Sequence, residues 1–274
     1  MSERGKILGL ALLLGLALSG CGAQTGTDTG NPTTVGLQIV GSVGMAGPAP
    51  TPIPGSGVKI SEARIVLKEI DIDPLETCFV EAEVTPEPLN PMFDFPGPFV
   101  IDLLGNTTLP PTELIQIPAG SYCEVELNFD KLDAAQLPAG IPPTDPILGR
   151  ALLVRGTRSD GTPFQAVLEQ DDKFKLQGTR PDGFPILDLG GVTRFFIRFD
   201  LDQWFAGVDL SSAAAGAGGV ILLDAGHHPD LLALVVENVK RSAQLFRDLN
   251  GDGILQPDEE THGLVLGVGV DEED

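Results

Sequence analysis

The alternation of apolar and polar residues along the chain predicts short β-strands as its main structural element. The alternation is clearest over residues 122–129, where the apolar residues at alternate positions are Cys123, Val125, Leu127 and Phe129. Side chains of a strand point alternately to its two faces, so this pattern places one face against a core and the other toward solvent. Half-buried strands of this kind are typical of antiparallel sheets.

Other segments with the same alternation or with short apolar runs predict further strands, at 35–39, 58–72, 99–104, 114–117, 151–154, 164–168, 174–176, 192–201 and 220–223. The apolar phase shifts inside 58–72, which predicts a bulged strand or two strands in succession. The chain also contains 34 glycines and 23 prolines, which supply frequent turns. The fold expected for residues 34–224 is therefore mainly β, an antiparallel β-sandwich with an insertion near 73–97.

One amphipathic α-helix is predicted near the C-terminus, from Pro229 to about Phe246. Proline suits the first helical position because its missing N–H needs no partner there. Leu232 and Val235 begin an apolar face that continues at helical spacing. We expect this helix to pack against the sandwich, within a C-terminal segment, 225–274, that ends in an acidic tail.

The N-terminus has the pattern of a secretory signal. Arg4 and Lys6 precede an apolar run over 7–19, which is shorter than the roughly twenty residues needed to span a bilayer. The run ends in Leu18-Ser19-Gly20-Cys21, which resembles the lipobox of bacterial lipoproteins. This resemblance implies that residues 1–20 are a signal peptide and that Cys21 becomes the lipidated N-terminus. A plain secretory signal with an incidental cysteine is the alternative.

The segment 21–33 is predicted to be a flexible tether between the lipid and the folded domain. No large apolar residue occurs from 22 to 33, and polar segments rich in glycine and threonine form flexible linkers. No aspartate follows Cys21, which in lipoproteins favours the outer membrane over the inner one. The expected location is the cell envelope, on the periplasmic or the surface side.

The formal net charge of −22, with only three histidines, restricts the possible functions. A chain this acidic repels nucleic acid, so we do not expect it to bind nucleic acid. The same charge attracts cations. Few histidines are available for general-base chemistry. The sequence also lacks the Gly-x-Ser-x-Gly, His-Glu-x-x-His and phosphate-loop motifs. We therefore expect a protein that is not an enzyme.

Cys78 and Cys123 remain once the lipidation site is set aside. In an oxidising envelope compartment, two remaining cysteines most simply pair in a disulfide. Two separate free thiols are the alternative.

Several short motifs resemble an uncharacterised family of bacterial surface lipoproteins. These motifs lie at 101–104, 118–122, 126–130, 156–164 and 199–205, and the matching tether is Thr29-Gly30-Asn31-Pro32. The resemblance implies a β-sandwich of the immunoglobulin or transthyretin kind. It implies no activity and transfers no catalytic residue.

The segment 248–259 matches the twelve-residue calcium loop of EF-hand and dockerin proteins. Calcium prefers about six to eight oxygen ligands, and the loop supplies them at fixed positions. Positions one, three, five, seven, nine and twelve are Asp248, Asn250, Asp252, Ile254, Gln256 and Glu259. Gly253 suits the sharp turn at position six. We expect Ile254 to contribute its carbonyl and to direct its side chain into the core.

The two ends of this loop are expected to differ. The predicted helix delivers Asp248, as in an EF-hand, whereas Pro257 and the residues 260–263 predict no helix on the exit side. This favours a single structural calcium site that fixes the C-terminal helix. A solvated acidic turn without a bound ion is the alternative.

The function expected from these features is a lipid-anchored envelope protein with a structural or adhesive binding role. Its partners would be the membrane, through the lipid, and an envelope protein or polysaccharide. A carbohydrate-binding module is the alternative, although Trp204 and Phe205 are expected to close the core rather than bind sugar. A hydrolase would require a carboxylate cleft that the sequence does not reveal.

Overall fold

The computed structural model describes residues 31–42, 51–53, 56–75, 78, 93–188, 190–216, 218–262 and 265–270. The predicted signal peptide, Cys21 and most of the predicted tether lie outside this part of the chain. None of the helices in the described residues is long and apolar enough to cross a membrane.

β-Strands dominate the described residues, which confirms the prediction of a mainly β fold. The strands in the first part of the chain are β1 (Pro32–Ser42), β2 (Thr51–Ile53), β3 (Val58–Pro74), β4 (Phe93–Asp102), β5 (Thr107–Leu109), β6 (Ile115–Pro118), β7 (Gly120–Phe129) and β8 (Leu152–Arg158). They are followed by β9 (Pro163–Leu168), β10 (Asp172–Gly178), β11 (Phe184–Ile186), β12 (Val192–Asp200), β13 (Ile221–Leu223), β14 (Ala243–Arg247) and β15 (Gly267–Val270). The helices are α1 (Pro229–Arg241) and α2 (Pro257–His262).

These strands form one curled sheet. Along its main path the order is β13-β9-β8-β3-β7-β10-β15-β14-β12-β1-β6, while β2 and β4 pair with β3, β5 with β4, and β11 with β7. The prediction that all pairing is antiparallel is wrong, because β1 runs parallel to β12 and β13 runs parallel to β9. Side-chain alternation reports which face of a strand is buried and not the direction of its neighbour, so the sequence pattern could not reveal these two pairs.

The long strand β3 lies at the centre of the sheet. Its first half pairs with β8 and its second half with β7, along the same edge, while β4 pairs with the other edge. The pairing register shifts between Ile60 and Glu62 and again between Leu67 and Glu69. The predicted bulged strand is therefore confirmed. Its first shift lies within the part of β3 that pairs with β8, and its second lies close to the point where β3 changes partner from β8 to β7.

Both ends of the sheet path contribute to one core. Val35 and Ile39 of β1 belong to the same buried cluster as Ile60 of β3 and Phe164 of β9. A chain of ring contacts crosses this core, with centroid distances of 5.4 Å for Phe129–Phe174, 6.2 Å for Phe174–Phe199 and 6.3 Å for Phe199–Trp204. Aromatic pairs at such distances stabilise a core beyond the burial of their area.

Three predicted boundaries need correction. The C-terminal helix ends at Arg241 rather than near Phe246, and the next residues form β14. Leu245 packs in the main core while Phe246 packs on the opposite face of the sheet, so the burial period changes from helical to alternating at this point. Pro32 and Thr33, expected in the tether, already belong to β1. Strands β3 and β4 cover 73–74 and 93–97 of the predicted insertion, and most of its remaining residues lie outside the described part of the chain.

A disulfide joins Cys78 to Cys123, which confirms the predicted pair. The two Cα atoms are 6.5 Å apart and the cysteines are separated by 45 positions in the sequence. Cys123 lies within β7, so the bond ties the segment that follows β3 to the neighbouring strand.

We predict that replacing Gly156 by alanine destabilises the fold. A Cβ atom at this position in β8 would lie 2.1 Å from the carbonyl oxygen of Lys59 and 2.7 Å from the Phe164 ring. Overpacking of this kind costs about 1–3 kcal/mol. The matched control is Gly120→Ala, where a Cβ would meet no atom within 4 Å. Urea unfolding should show a lower free energy of unfolding for the first variant only, and equal losses would contradict the assignment.

We also predict that the double variant Cys78→Ala/Cys123→Ala is less stable than the wild type. In the chain-entropy account, a bond that closes a loop of this length contributes up to about 4 kcal/mol. A thiol reductant should lower the thermal midpoint of the wild type to that of the double variant. The same reductant should leave the double variant unchanged, and a drop there would show that the effect does not come from this bond.

Candidate functional site

The predicted calcium loop connects β14 to α2. Asp248 follows the last residue of β14, and its N–H donates to the carbonyl oxygen of Arg194 in β12 at 3.0 Å. The expectation that a helix delivers Asp248 is therefore wrong, since a strand holds this end of the loop. The expectation of no exit helix is also wrong, because α2 begins at Pro257. Proline suits the first position of α2, as it does the first position of α1 at Pro229. Its φ is fixed at a helical value, and it lacks the N–H that would have no partner there.

The Asp248 carboxylate organises the first half of the loop. One of its oxygens accepts a hydrogen bond from the N–H of Gly251 at 2.6 Å and the other accepts one from Gly253 at 2.9 Å. The side chain is buried, with 7% of Asp248 exposed. Gly251 and Gly253 have φ values of 77° and 75°, a region that favours glycine, so the predicted sharp turn at Gly253 is present.

The Glu259 carboxylate connects the two ends of the loop. Its Oε1 accepts from the N–H of Leu249 at 2.8 Å, and its Oε2 accepts from the N–H of Gln256 at 3.0 Å. Because Gln256 precedes α2 and Glu259 is the third residue of that helix, the second bond is one half of a capping box. Glu259 is only 1% exposed.

Asn250 and Asp252 form two successive side-chain turns on the solvent side of the loop. The Oδ1 of Asn250 accepts from the N–H of Asp252, and the Oδ1 of Asp252 accepts from the N–H of Ile254, both at 2.8 Å. The other Asp252 oxygen accepts from the Nε2 of Gln256 at 2.6 Å. Asn250, Asp252, Gln256 and Glu259, whose side chains are expected calcium ligands, therefore already form hydrogen bonds within the loop.

The expectation that Ile254 enters the core is wrong, because 63% of Ile254 is exposed. The next residue, Leu255, packs instead against a small cluster of Val40, Phe196 and Phe246. The α2 helix is held on the same side by an ion pair of 3.1 Å between Arg198 and Glu260. The loop is therefore attached to the sheet through residues on either side of its exposed turn.

The loop carries carboxylate and amide oxygens of the kind that bind a hard cation, but its acidic side chains are not grouped around one point. Asp248 and Glu259 are buried carboxylates, and within the described residues neither forms an ion pair with lysine or arginine. Carboxylate and amide oxygens are the ligands that calcium prefers. Among the described residues, no three histidine, cysteine, aspartate or glutamate side chains form a group that could hold a metal ion.

A polar cluster on the outer face of the sheet, which we call the acidic face, is not evident from the sequence. It comprises Glu69, Asp71 and Asp73 of β3, Asp94 of β4, Glu124, Glu126 and Asn128 of β7, and Lys173 and Lys175 of β10. The alternation in β7 marks Glu124, Glu126 and Asn128 as neighbours on one face. Only the strand order shows that acids from β3 and β4 lie beside them.

Comparisons with known proteins assign no family. No protein-family model matches the chain, and no curated protein matches it. Among solved structures, the chain is similar to MbnP from Methylosinus trichosporium at 14% sequence identity, over 69% of this chain and 82% of that chain, with a TM-score of 0.33. At this TM-score the similarity identifies neither a shared fold nor a shared function.

Proposed function

We propose that the protein is a lipid-anchored envelope protein with a structural or adhesive binding role, stabilised by calcium and not catalytic. Its anchor would be the lipid on Cys21, and its location the outer membrane, on the periplasmic or the surface side. The curled sheet would form a two-layered sandwich of the immunoglobulin or transthyretin kind. In this proposal the chain belongs to the surface lipoprotein family that its Thr29–Pro32 tether resembles.

The observation that carries the calcium part of the proposal is the burial of Asp248 and Glu259 at opposite ends of one short loop. Two buried carboxylates without a basic partner are costly, and a bound cation would offset that cost. Backbone N–H groups already orient both carboxylates. Calcium bound between β14 and α2 would supply charge neutralisation and would link the ends of the loop, with an expected Kd of about 10⁻⁵–10⁻³ M.

The distribution of aromatic and charged groups favours the structural or adhesive role over the carbohydrate-binding alternative. Trp204 and Phe205 are fully buried, and the Nε1 of Trp204 donates to the Oγ of Ser242 at 2.9 Å. They therefore close the core, as expected, and offer no stacking surface for a sugar ring. The carbohydrate-binding alternative consequently lacks its two leading candidate residues. The strong negative charge favours partners that are cationic or that bind through cations.

We predict that calcium stabilises the full chain through the 248–259 loop. A site with Kd near 10⁻⁴ M should raise the free energy of unfolding by about 1.4 kcal/mol at about 1 mM calcium, which raises the thermal midpoint by a few degrees. Asp248→Asn and Glu259→Gln should each remove most of this increase, because each removes a ligand charge while it keeps the side-chain shape. The measurement is a thermal melt in chelator and in a calcium series.

The matched control is Asp258→Asn, which makes the same change of charge beside Glu259 at an exposed position. This variant should keep the calcium-dependent increase. A midpoint that does not change from micromolar to millimolar calcium in the wild type would reject the loop as a calcium site.

We predict that Cys21→Ser releases the chain from the membrane. Two or three acyl chains anchor a protein stably, because each buried CH₂ contributes about 0.8 kcal/mol. Metabolic labelling with a fatty-acid probe and membrane fractionation should both lose their signal in this variant. Ser19→Ala, which keeps a small residue before the cysteine, should retain both. Membrane association of Cys21→Ser without label would instead indicate anchoring by an uncleaved signal sequence.

A further inference from the structure

A buried carboxyl and a buried amide meet on the acidic face. Asp71 of β3 is 1% exposed and Asn128 of β7 is 7% exposed. The Nδ2 of Asn128 donates to the Oδ2 of Asp71 at 2.9 Å. Within the described residues, the Oδ1 of Asp71 and the Oδ1 of Asn128 receive no hydrogen bond. Each group therefore keeps one buried acceptor without a donor, which is rare in folded proteins.

The charges around Asp71 are mostly of its own sign. The strand register places Asp94 of β4 on one side of Asp71 and Glu126 of β7 on the other. Like charges at directly opposite positions of a sheet are destabilising. Burial, together with the charges of Glu69, Glu126, Asp73 and Asp94, raises the pKa of Asp71 to about 7.

The two lysines of the acidic face have carboxylate partners on β7. The Nζ of Lys173 lies 2.8 Å from Glu126, and the Nζ of Lys175 lies 2.7 Å from Glu124. A proton on Asp71 acts differently from a lysine beside it, because it removes the negative charge of the carboxylate. It also turns one acceptor oxygen into an O–H donor.

We propose that Asp71 and Asn128 form a pH-sensitive acid–amide pair between β3 and β7, in which a protonated Asp71 carboxyl donates from its Oδ1 to the Oδ1 of Asn128. A carboxylic acid and a primary amide can each present one donor and one acceptor to the other, so two hydrogen bonds of opposite direction join them. One of these is the observed bond from Nδ2 to Oδ2. The other uses both remaining oxygens with a single proton and leaves the pair neutral. This inference does not rest on the proposed function.

The next row of the same two strands holds a second proton-dependent contact. Asp73 lies opposite Glu124 in the register, and burial together with a hydrogen bond shared with Glu124 raises the pKa of Asp73 to about 6. Two neighbouring carboxyls of β3 therefore hold protons against β7. When the pH rises and the Asp71 proton leaves to water, the O–H···O bond is lost and a buried negative charge appears. Rising pH should thus weaken the contact between β3 and β7.

Urea unfolding of the full chain over a pH series, in chelator, tests the pair. A raised pKa means that the folded chain binds the proton more tightly than the unfolded chain, in which an aspartate has a pKa of about 3.9. The Asp71 contribution to stability is therefore present at acidic pH and is lost as the pH rises through about 7. Asp71→Asn keeps both hydrogen bonds at every pH, because its own amide N–H can donate to the Oδ1 of Asn128.

The folding equilibrium constant of Asp71→Asn, divided by that of the wild type, should rise by up to about tenfold per pH unit between about pH 5 and 7, and level off above about pH 8. Asp73 titrates in both chains, so this rise reports Asp71. Glu113→Gln is the matched control, since it removes one exposed charge outside the acidic face, and its ratio to the wild type should stay nearly constant. A ratio for Asp71→Asn that does not change with pH would show that Asp71 is ionised throughout, and would overturn the proposal.

Infrared difference spectra identify the group to which the proton is hydrogen-bonded. At about pH 5, the wild type minus Asp71→Asn should show the C=O band of a protonated carboxyl, and this band should disappear as the pH rises through about 7. Asn128→Leu removes both hydrogen bonds of the pair, so the band should move to higher frequency in that variant. Asn128→Ala, which leaves more room, replaces it if the leucine variant does not fold. An unchanged frequency would show that burial alone retains the proton, and the acid–amide pair would be rejected, as it would by the absence of the band.

Discussion

The curl of the sheet depends on the long strand β3. This strand pairs with β8 along its first half and with β7 along its second half, and it continues unbroken between them. A strand that paired with one neighbour on each edge along its whole length would give a flatter sheet, and β8 and β7 could not both share one edge of it. The register shifts near Ile60 and Leu67 bend the strand and increase its twist. The two halves of β3 therefore lead the sheet in different directions, so that β1 and β9, far apart along the path, bury side chains in one core.

Charge is the second constraint on this molecule. A chain with 39 acidic and 17 basic residues cannot pair every acid with a base, and a sheet this large places some acids beside each other. The described structure differs between two places where acids are buried. Near the 248–259 loop, backbone N–H groups turn toward Asp248 and Glu259. On the acidic face no such donors are available, because the N–H groups of a central strand already serve the ladder, and Asp71 keeps an unpartnered oxygen.

The sequence was informative wherever one local period governed a segment. It predicted the strand character of β7, the bulge in β3, the start of α1 at Pro229 and the glycine turn at Gly253. It failed where tertiary packing chose between two local options. Ser242 ends the helix because the next residues pack as a strand against β12, and Leu255 takes the apolar position that Ile254 was expected to fill. Asp71 lies among alternating residues like many others, and only its neighbours on β4 and β7 make its environment unusual.

The loop lies between the two strands that join the halves of the sheet path. The path from β13 to β10 is connected to the path from β14 to β6 through β15, which has only four residues. β15 pairs with β10 on one side and with β14 on the other, and both β14 and β15 flank the segment that holds the loop and α2. A cation bound between Asp248 and Glu259 would shorten the free chain between these two strands and so favour their pairing. Because that pairing completes the curl of the sheet, stabilisation at a surface loop would act on the core.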